Sequence, residues 1–216
     1  MPVDENELRS IAEELARRNN GENLVIYIQI SRGADTKRNH AMPEGITPTR
    51  FAFAFEIPSP PEADKDTAKS YHVSTTEDLR WQRCHIKSTS LLGNVMHYHH
   101  GHSRGCQETL LFNGQDELTE AAACNVFVVK NGAVATPLLD HQKLPGITRY
   151  MLIDMLRKHS ELSVEERDVT KEEVLAADEV WITSSTKEVA PVLSIDGEPV
   201  GDGTVGDVWL QAQTLF

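Results

Sequence analysis

A hairpin constrains this chain more than any other feature. The runs Asn125-Val126-Phe127-Val128-Val129-Lys130 and Ala133-Val134-Ala135-Thr136 are separated by two residues, Asn131-Gly132. A loop of that composition accepts φ > 0 at both positions, which matches the twist of paired antiparallel strands. Around it strand-like segments alternate with helical ones. Glu108–Phe112 predicts a strand ending at the turn signal Asn113-Gly114, and Glu179–Thr183 predicts another running into Ser184-Ser185-Thr186. Pro145-Gly146-Ile147-Thr148 opens a helix to about His159, with Met151, Leu152, Met155 and Leu156 on one face. Lys87–Gly101 starts as a turn and becomes a helix, and Lys171–Ala177 predicts a short one.

Upstream, Leu8, Ile11, Ala12, Leu15 and Ala16 stand at helical spacing within residues 4–18, and Asn19-Asn20-Gly21 stops that helix. Leu24–Ser31 and the alternating Phe51–Ile57 predict two strands. Pro58-Ser59-Pro60-Pro61-Glu62-Ala63-Asp64 is the best linker in the sequence. It predicts a small domain over 1–60 and a large one over 61–216. A helix and two strands make a poor independent domain, so the small domain is expected to be the remainder of a larger one whose N-terminal part is absent.

Composition excludes several function classes. The 216 residues carry a formal net charge of −12, which argues against the basic patches that nucleic acid and anionic membranes attract. No run approaches the roughly 18 apolar residues of a membrane span, and the acidic start Met1–Glu7 is no secretory signal. Cys84, Cys106 and Cys124 are odd in number and lack metal-ligand spacing, so reduced thiols in a cytoplasmic protein are expected.

Chemistry concentrates around Lys87, in Arg83-Cys84-His85-Ile86-Lys87-Ser88-Thr89-Ser90-Leu91-Leu92-Gly93-Asn94-Val95, entered from Asp78-Leu79-Arg80-Trp81. A lysine in a locally apolar setting loses its proton more easily, because burial disfavours the ammonium form. The free amine can then attack a carbonyl. Glu120 precedes the small residues Ala121, Ala122, Ala123 and Cys124. Gly146-Ile147-Thr148 stands at a helix start, where free N–H groups and the macrodipole favour an anion, and Ser184-Ser185-Thr186 is a hydroxyl cluster after a strand. Arg38 and His40 can grip a carboxylate from one loop. His97, His99, His100 and His102 form a dense cluster, but 97/100 and 99/102 fall on two helix faces without an i,i+4 pair, and no metal is expected there. The acidic run Glu161–Glu173 is interleaved with Leu162, Val164 and Val169, as in a solvated face.

Taken in order, the segment Arg-Trp-x-Arg-Cys-x-Ile-Lys-Ser, the acid before Asn125-Val126-Phe127, Leu144-Pro145-Gly146-Ile147-Thr148-Arg149 and Thr183-Ser184-Ser185-Thr186 resemble the signature of the class IV pyridoxal-phosphate aminotransferases over nearly all of residues 20–206. Arg38-Asn39-His40, after Gln29–Gly33, resembles the carboxylate trap of the D-amino acid branch.

The resemblance implies an α/β (α+β) fold: a small N-terminal α/β domain and a larger one with a barrel-like sheet and surrounding helices. It implies pyridoxal 5′-phosphate held as an aldimine on Lys87, Glu120 at the pyridine nitrogen, Leu144 against the ring, and phosphate contacts from Ile147, Thr148, Ser184 and Ser185. Arg38 and His40 would bind the substrate carboxylate, and the expected assembly is a homodimer. The implied reaction moves an amino group between a D-amino acid such as D-alanine and a 2-oxo acid such as 2-oxoglutarate. The family has glycine and serines where this chain has Ala121–Cys124, which removes hydroxyl contacts. Alternatives are a branched-chain aminotransferase or an aminodeoxychorismate lyase, neither of which is expected to need the Arg-x-His pair. From another class, the alternative is an inactive fragment or an acidic, non-catalytic binding domain.

Overall fold

The computed structural model describes residues 4–216, which divide into two compact units, one ending at Ser59 and one spanning Pro60–Phe216. In the first unit, helix α1 (Glu5–Arg18) is capped by Asp4, whose carboxylate accepts the Asn6 N–H at 3.0 Å. It packs on strands β1 (Leu24–Ser31) and β2 (Thr49–Glu56), paired antiparallel with Leu24 opposite Glu56. Tyr27, Phe51, Phe53 and Phe55 form an exposed ladder, with neighbouring ring centroids 5.2–5.7 Å apart. No described residue of this unit is fully buried.

The second unit is built on a nine-stranded sheet among the described residues. Its strands are β3 (Tyr71–Glu77), β4 (Glu108–Phe112), β5 (Leu118–Ala121), β6 (Asn125–Lys130), β7 (Ala133–Thr136), β8 (Val164–Glu166), β9 (Glu179–Ser184), β10 (Glu188–Ile195) and β11 (Glu198–Pro199). The order is β5-β4-β3-β10-β9-β6-β7-β8, with β11 on β10. The pairs β3–β4, β3–β10 and β7–β8 are parallel and the rest antiparallel. The two ends of this order meet: the Leu118 N–H donates to Val169 O at 2.8 Å and the Lys171 N–H to Asp116 O at 2.8 Å. Right-handed strand twist accumulated across so many strands curls the sheet on itself, and the barrel-like sheet expected from the sequence is what forms.

Strand side chains alternate between two cores. Val126, Val128, Val180, Ile182, Ala190 and Val192 enter a cluster with Leu110, Phe112 and Leu118. Phe127, Val129, Trp181 and Val189 point to the other face, where Leu152, Ile153 and Leu156 of α3 (Ile147–His159) and Trp209 and Ala212 of α5 (Asp207–Leu215) cover them. Both faces are buried, so the strands read as continuous apolar runs. The Asn131-Gly132 hairpin forms as expected, with φ of 51° and 78°.

Two further helices complete the unit, α2 (Leu92–His102) and α4 (Lys171–Leu175). The face of α3 differs from expectation. Thr148, Arg149, Leu152, Ile153 and Leu156 are buried, whereas Met151 is exposed and Met155 half-buried. Arg149 sets this rotation by donating to Pro137 O and to Glu166, each at 2.9 Å, which pins the first turn inward.

Candidate functional site

Glu120 lies on β5 and is buried, held by three donors. Arg80 pairs with it, Leu144 donates its N–H at 2.9 Å, and Asn125 donates from Nδ2 at 3.3 Å. Asn125 also donates to Leu144 O at 2.9 Å, so one side chain clasps both the acid and the loop before α3. Arg80 is shared with Asp78, to which it donates from Nε at 2.9 Å and Nη2 at 2.7 Å. One guanidinium therefore serves two buried carboxylates. Burial pushes the Glu120 carboxyl above its ordinary range against the pull of Arg80. Burial acts the same way on Asp78, but its hydrogen bonds with Arg80 outweigh that and hold it below the usual range.

The loop that carries Lys87 is tied to the same frame. The Cys84 N–H donates to His141 O at 2.7 Å, Arg80 Nη2 donates to Gln142 O at 3.2 Å, and Gln82 meets the His141 ring at 2.9 Å. At the far end of the loop, Asn94 Nδ2 donates to Ala122 O at 2.8 Å. A cavity of about 330 Å³ opens beside it, lined by His85, Leu139, Asp140, His141, Lys143 and Pro145. Lys87 itself is solvent-exposed. This corrects the expectation of an apolar setting: the flanking Ile86, Leu91 and Leu92 are exposed too, so residues apolar in sequence do not enclose the amine.

The other half of the frame is built at the start of α3. Gly146 is the N-cap and no side chain among the described residues caps the helix, leaving its first backbone N–H groups without a partner there. A Cβ at Gly146 would overlap Asn125 Oδ1, so only glycine lets the helix start approach the residue that holds Glu120. Thr148 is buried and Ile147 exposed. Asn125 pairs with Thr183 in the β6–β9 ladder, which brings the turn after β9 to this side. There Thr183 Oγ1 and Ser184 Oγ are buried and have no hydrogen-bond partner among the described residues, while Ser185 is exposed in the turn. Leu144 is half-buried beside Glu120.

Glu120, Leu144, Ile147, Thr148, Ser184 and the Lys87 loop thus share one frame. Arg38 and His40 are exposed on the loop between β1 and β2 of the first unit. Sequence reasoning assigned no role to Asp78, Arg80 or Asn125. The Asp-x-Arg spacing just before the lysine segment was the available signal. In the histidine cluster, His97 is buried and the other three are not. No group of three metal-ligating side chains converges among the described residues. Where the hydroxyl residues of the resembled family are replaced, Ala121, Ala122 and Cys124 are buried and Ala123 is exposed.

The family model described as "Amino-transferase class IV" matches residues 1–195. The D-alanine aminotransferase of Listeria monocytogenes serotype 1/2a (strain 10403S) is 35% identical over 216 residues, covering 100% of this chain and 74% of the relative. That of Staphylococcus haemolyticus is 38% identical over 211 residues, covering 97% and 73%. Among solved structures, the branched-chain amino acid aminotransferase of Escherichia coli superposes with a TM-score of 0.84 at 25% identity, over 99% of this chain and 72% of that one. The branched-chain amino acid aminotransferase from Thermobaculum terrenum, in its PLP-bound holo-form, gives 0.85 at 23% identity, over 100% and 71%.

Proposed function

Because this chain belongs to the class IV aminotransferases, enzymes that work through pyridoxal 5′-phosphate, we propose that its amino donor is a D-amino acid, D-alanine foremost, and its acceptor a 2-oxo acid such as 2-oxoglutarate. The curated relatives at 35–38% identity are D-alanine aminotransferases, whereas the branched-chain enzymes resemble this chain in fold at 25% or less. That difference favours the D-amino acid reading over the branched-chain one.

The residues fit the cofactor. Two orphaned hydroxyls, an uncapped helix start and a glycine at the point of closest approach suit a phosphate. A buried carboxylate held by Arg80, Leu144 and Asn125 suits a pyridinium nitrogen. Bound pyridoxal phosphate supplies an aldehyde that takes up the amino group and a ring that absorbs the electrons left when the Cα–H bond breaks. Lys87 would hold the cofactor, and its free amine would act as the base that takes the proton from the substrate Cα and as the acid that gives it back. Glu120 would keep the ring nitrogen protonated. Ile147, Thr148, Ser184 and Ser185 would hold the phosphate, Leu144 would pack on the ring, and Arg38 with His40 would bind the substrate carboxylate.

We also propose a homodimer in the cytoplasm. The stretch from Trp81 to Tyr98 exposes Trp81, Ile86, Leu91, Leu92, Val95, Met96 and Tyr98, with Leu92 73% exposed, a surface whose apolar content a second copy would cover. Cys84, Cys106 and Cys124 are all free thiols, and no helix among the described residues is long and apolar enough to cross a membrane.

The observation that carries the reading is the buried Glu120 tied through Arg80, Asn125 and Leu144 to the loops of Lys87 and Thr148. The protein mixed with pyridoxal phosphate should turn yellow, and borohydride should fix the cofactor to one peptide containing Lys87. Lys87→Ala should lose both this labelling and turnover; retention of either removes the lysine assignment. Comparing pyruvate formed from D-alanine with consumption of L-leucine then decides the substrate class.

A further inference from the structure

His97 is the one histidine of α2 that is buried, at 7% exposure, and it faces the sheet one turn before Gly101. Its Nε2 lies 3.1 Å from the Leu79 nitrogen, so the ring accepts the Leu79 N–H and carries its own proton on Nδ1. Leu79 is the residue between Asp78 and Arg80. A single ring nitrogen therefore holds the peptide that joins the two members of the chain leading to Glu120. Both Asp78 oxygens are already engaged: Oδ1 by the Arg80 N–H at 3.0 Å and Arg80 Nε at 2.9 Å, Oδ2 by Arg80 Nη2 and the Thr119 hydroxyl, each at 2.7 Å. The helix cannot slide to accommodate a change, since Thr109 donates to His97 O at 2.8 Å and Gly101 sits against Thr109 and Glu108 O.

We propose that neutral His97 is a positioning residue for the Asp78–Arg80–Glu120 chain, and that protonating it loosens this chain and lowers affinity for pyridoxal phosphate, so that acid gates cofactor occupancy. This rests on the reading of Glu120 as the cofactor's partner. A second proton on the imidazole turns the acceptor toward Leu79 into a donor, which sets N–H against N–H. It also places a cation beside Asp78, where it competes with Arg80 for a carboxylate that has no free oxygen. Arg80, drawn from its geometry, then holds Glu120 less well.

The charged groups that bear on the ring are Asp78 and Arg80 from the turn after β3 and His100 on its own helix. On β4, Glu108 turns its carboxyl to the Thr109 N–H and Cys124, and on β3 His72 and Glu77 are exposed. Burial lowers the His97 pKa, as do Arg80 and His100, against the opposing pull of Asp78. The ring is neutral at neutral pH and takes its proton only below the ordinary histidine range.

The test measures affinity of the full chain for pyridoxal phosphate by absorbance titration between about pH 5 and 8, for the wild type and for His97→Gln, whose amide oxygen accepts a hydrogen bond but takes no proton. The two proteins differ only at position 97, so the ratio of their affinities isolates His97. The wild type should lose up to about tenfold in affinity per pH unit below the His97 midpoint relative to His97→Gln; parallel pH profiles overturn the proposal. In the cofactor-free wild type, the NMR resonance of Arg80 Nε–H should move with the midpoint of the His97 ring, and an Arg80 signal indifferent to that titration also overturns it, whether or not the variant folds. Glu120→Gln serves as the separate control. If it leaves cofactor affinity unchanged, the reading of Glu120 fails on its own, while the coupling between His97 and Arg80 is still read by NMR.

Discussion

Arg80 carries more of this site than its place in the sequence suggests. It pairs with both Asp78 and Glu120, and removing one partner of a buried ion pair costs about 3–5 kcal/mol because the other charge is left without compensation. Arg80→Ala should therefore lower unfolding free energy in urea by about that amount and weaken cofactor binding in the same protein. Glu108 gives a second prediction at this scale. It is fully buried, with the Thr109 N–H and Cys124 as partners and no ion pair among the described residues, and burial pushes its carboxyl above the ordinary range. The neighbouring Cys124 thiol is likewise pushed up to about 12 by burial. The unfolded chain releases the Glu108 proton near pH 4.3 or so, and the folded one keeps it to higher pH. The folded state binds more protons over that window, so stability falls as pH rises through it. Glu108→Gln holds the neutral form at every pH. Its advantage over the wild type in urea midpoint should grow from about pH 4.3 upward and level off above the folded value; a constant difference contradicts the assignment.

At the scale of elements, the packing of α2 on β3 and β4 decides where the Lys87 loop ends. A Cβ at Gly101 would stand 2.5 Å from Thr109 Oγ1 and 2.8 Å from Glu108 O, a backbone atom that cannot step aside. Gly101→Ala should destabilise the fold by about 1–3 kcal/mol and displace the His97 turn with it, measured by chemical unfolding and by the His97 ring resonances. Several elements were not read from the sequence at all. Tyr71–Glu77 alternates too weakly, through Ser74, Thr75 and Thr76, to announce a central parallel strand. Glu188–Ile195 is interrupted by Pro191, which lacks the N–H a ladder requires. The structure tolerates it because pairing with β3 starts only at Val192. Helix α5 follows a glycine-rich stretch and is started instead by a distant side chain, Glu179, which accepts the N–H groups of Val208 and Trp209 at 2.9 and 2.8 Å. Propensity could not reveal a cap 29 residues away.

For the whole molecule, the exposed apolar stretch along α2 gives the remaining prediction. Replacing Leu92 and Val95 with Asp should shift sedimentation from dimer to monomer while leaving the far-ultraviolet circular dichroism unchanged; a wild type that sediments as a monomer at every concentration removes the proposed assembly. The sequence by itself determined the hairpin, most helix starts, the class of cofactor chemistry and the order of Lys87, Glu120, Leu144, Thr148 and Ser184 along the chain. The hairpin and helix starts depend on local turn chemistry, and the cofactor class rests on the resemblance carried by motifs in their order, both of which a linear reading holds. Only the tertiary structure decided that Arg80 reaches Glu120 across 40 residues, that Asn125 clasps the loop before α3, and that His97 rather than its three neighbours turns inward. It also decided that Lys87 stands exposed. Burial, and with it the strength of every charge interaction, depends on which distant segments cover a residue, and no stretch of sequence contains its own cover.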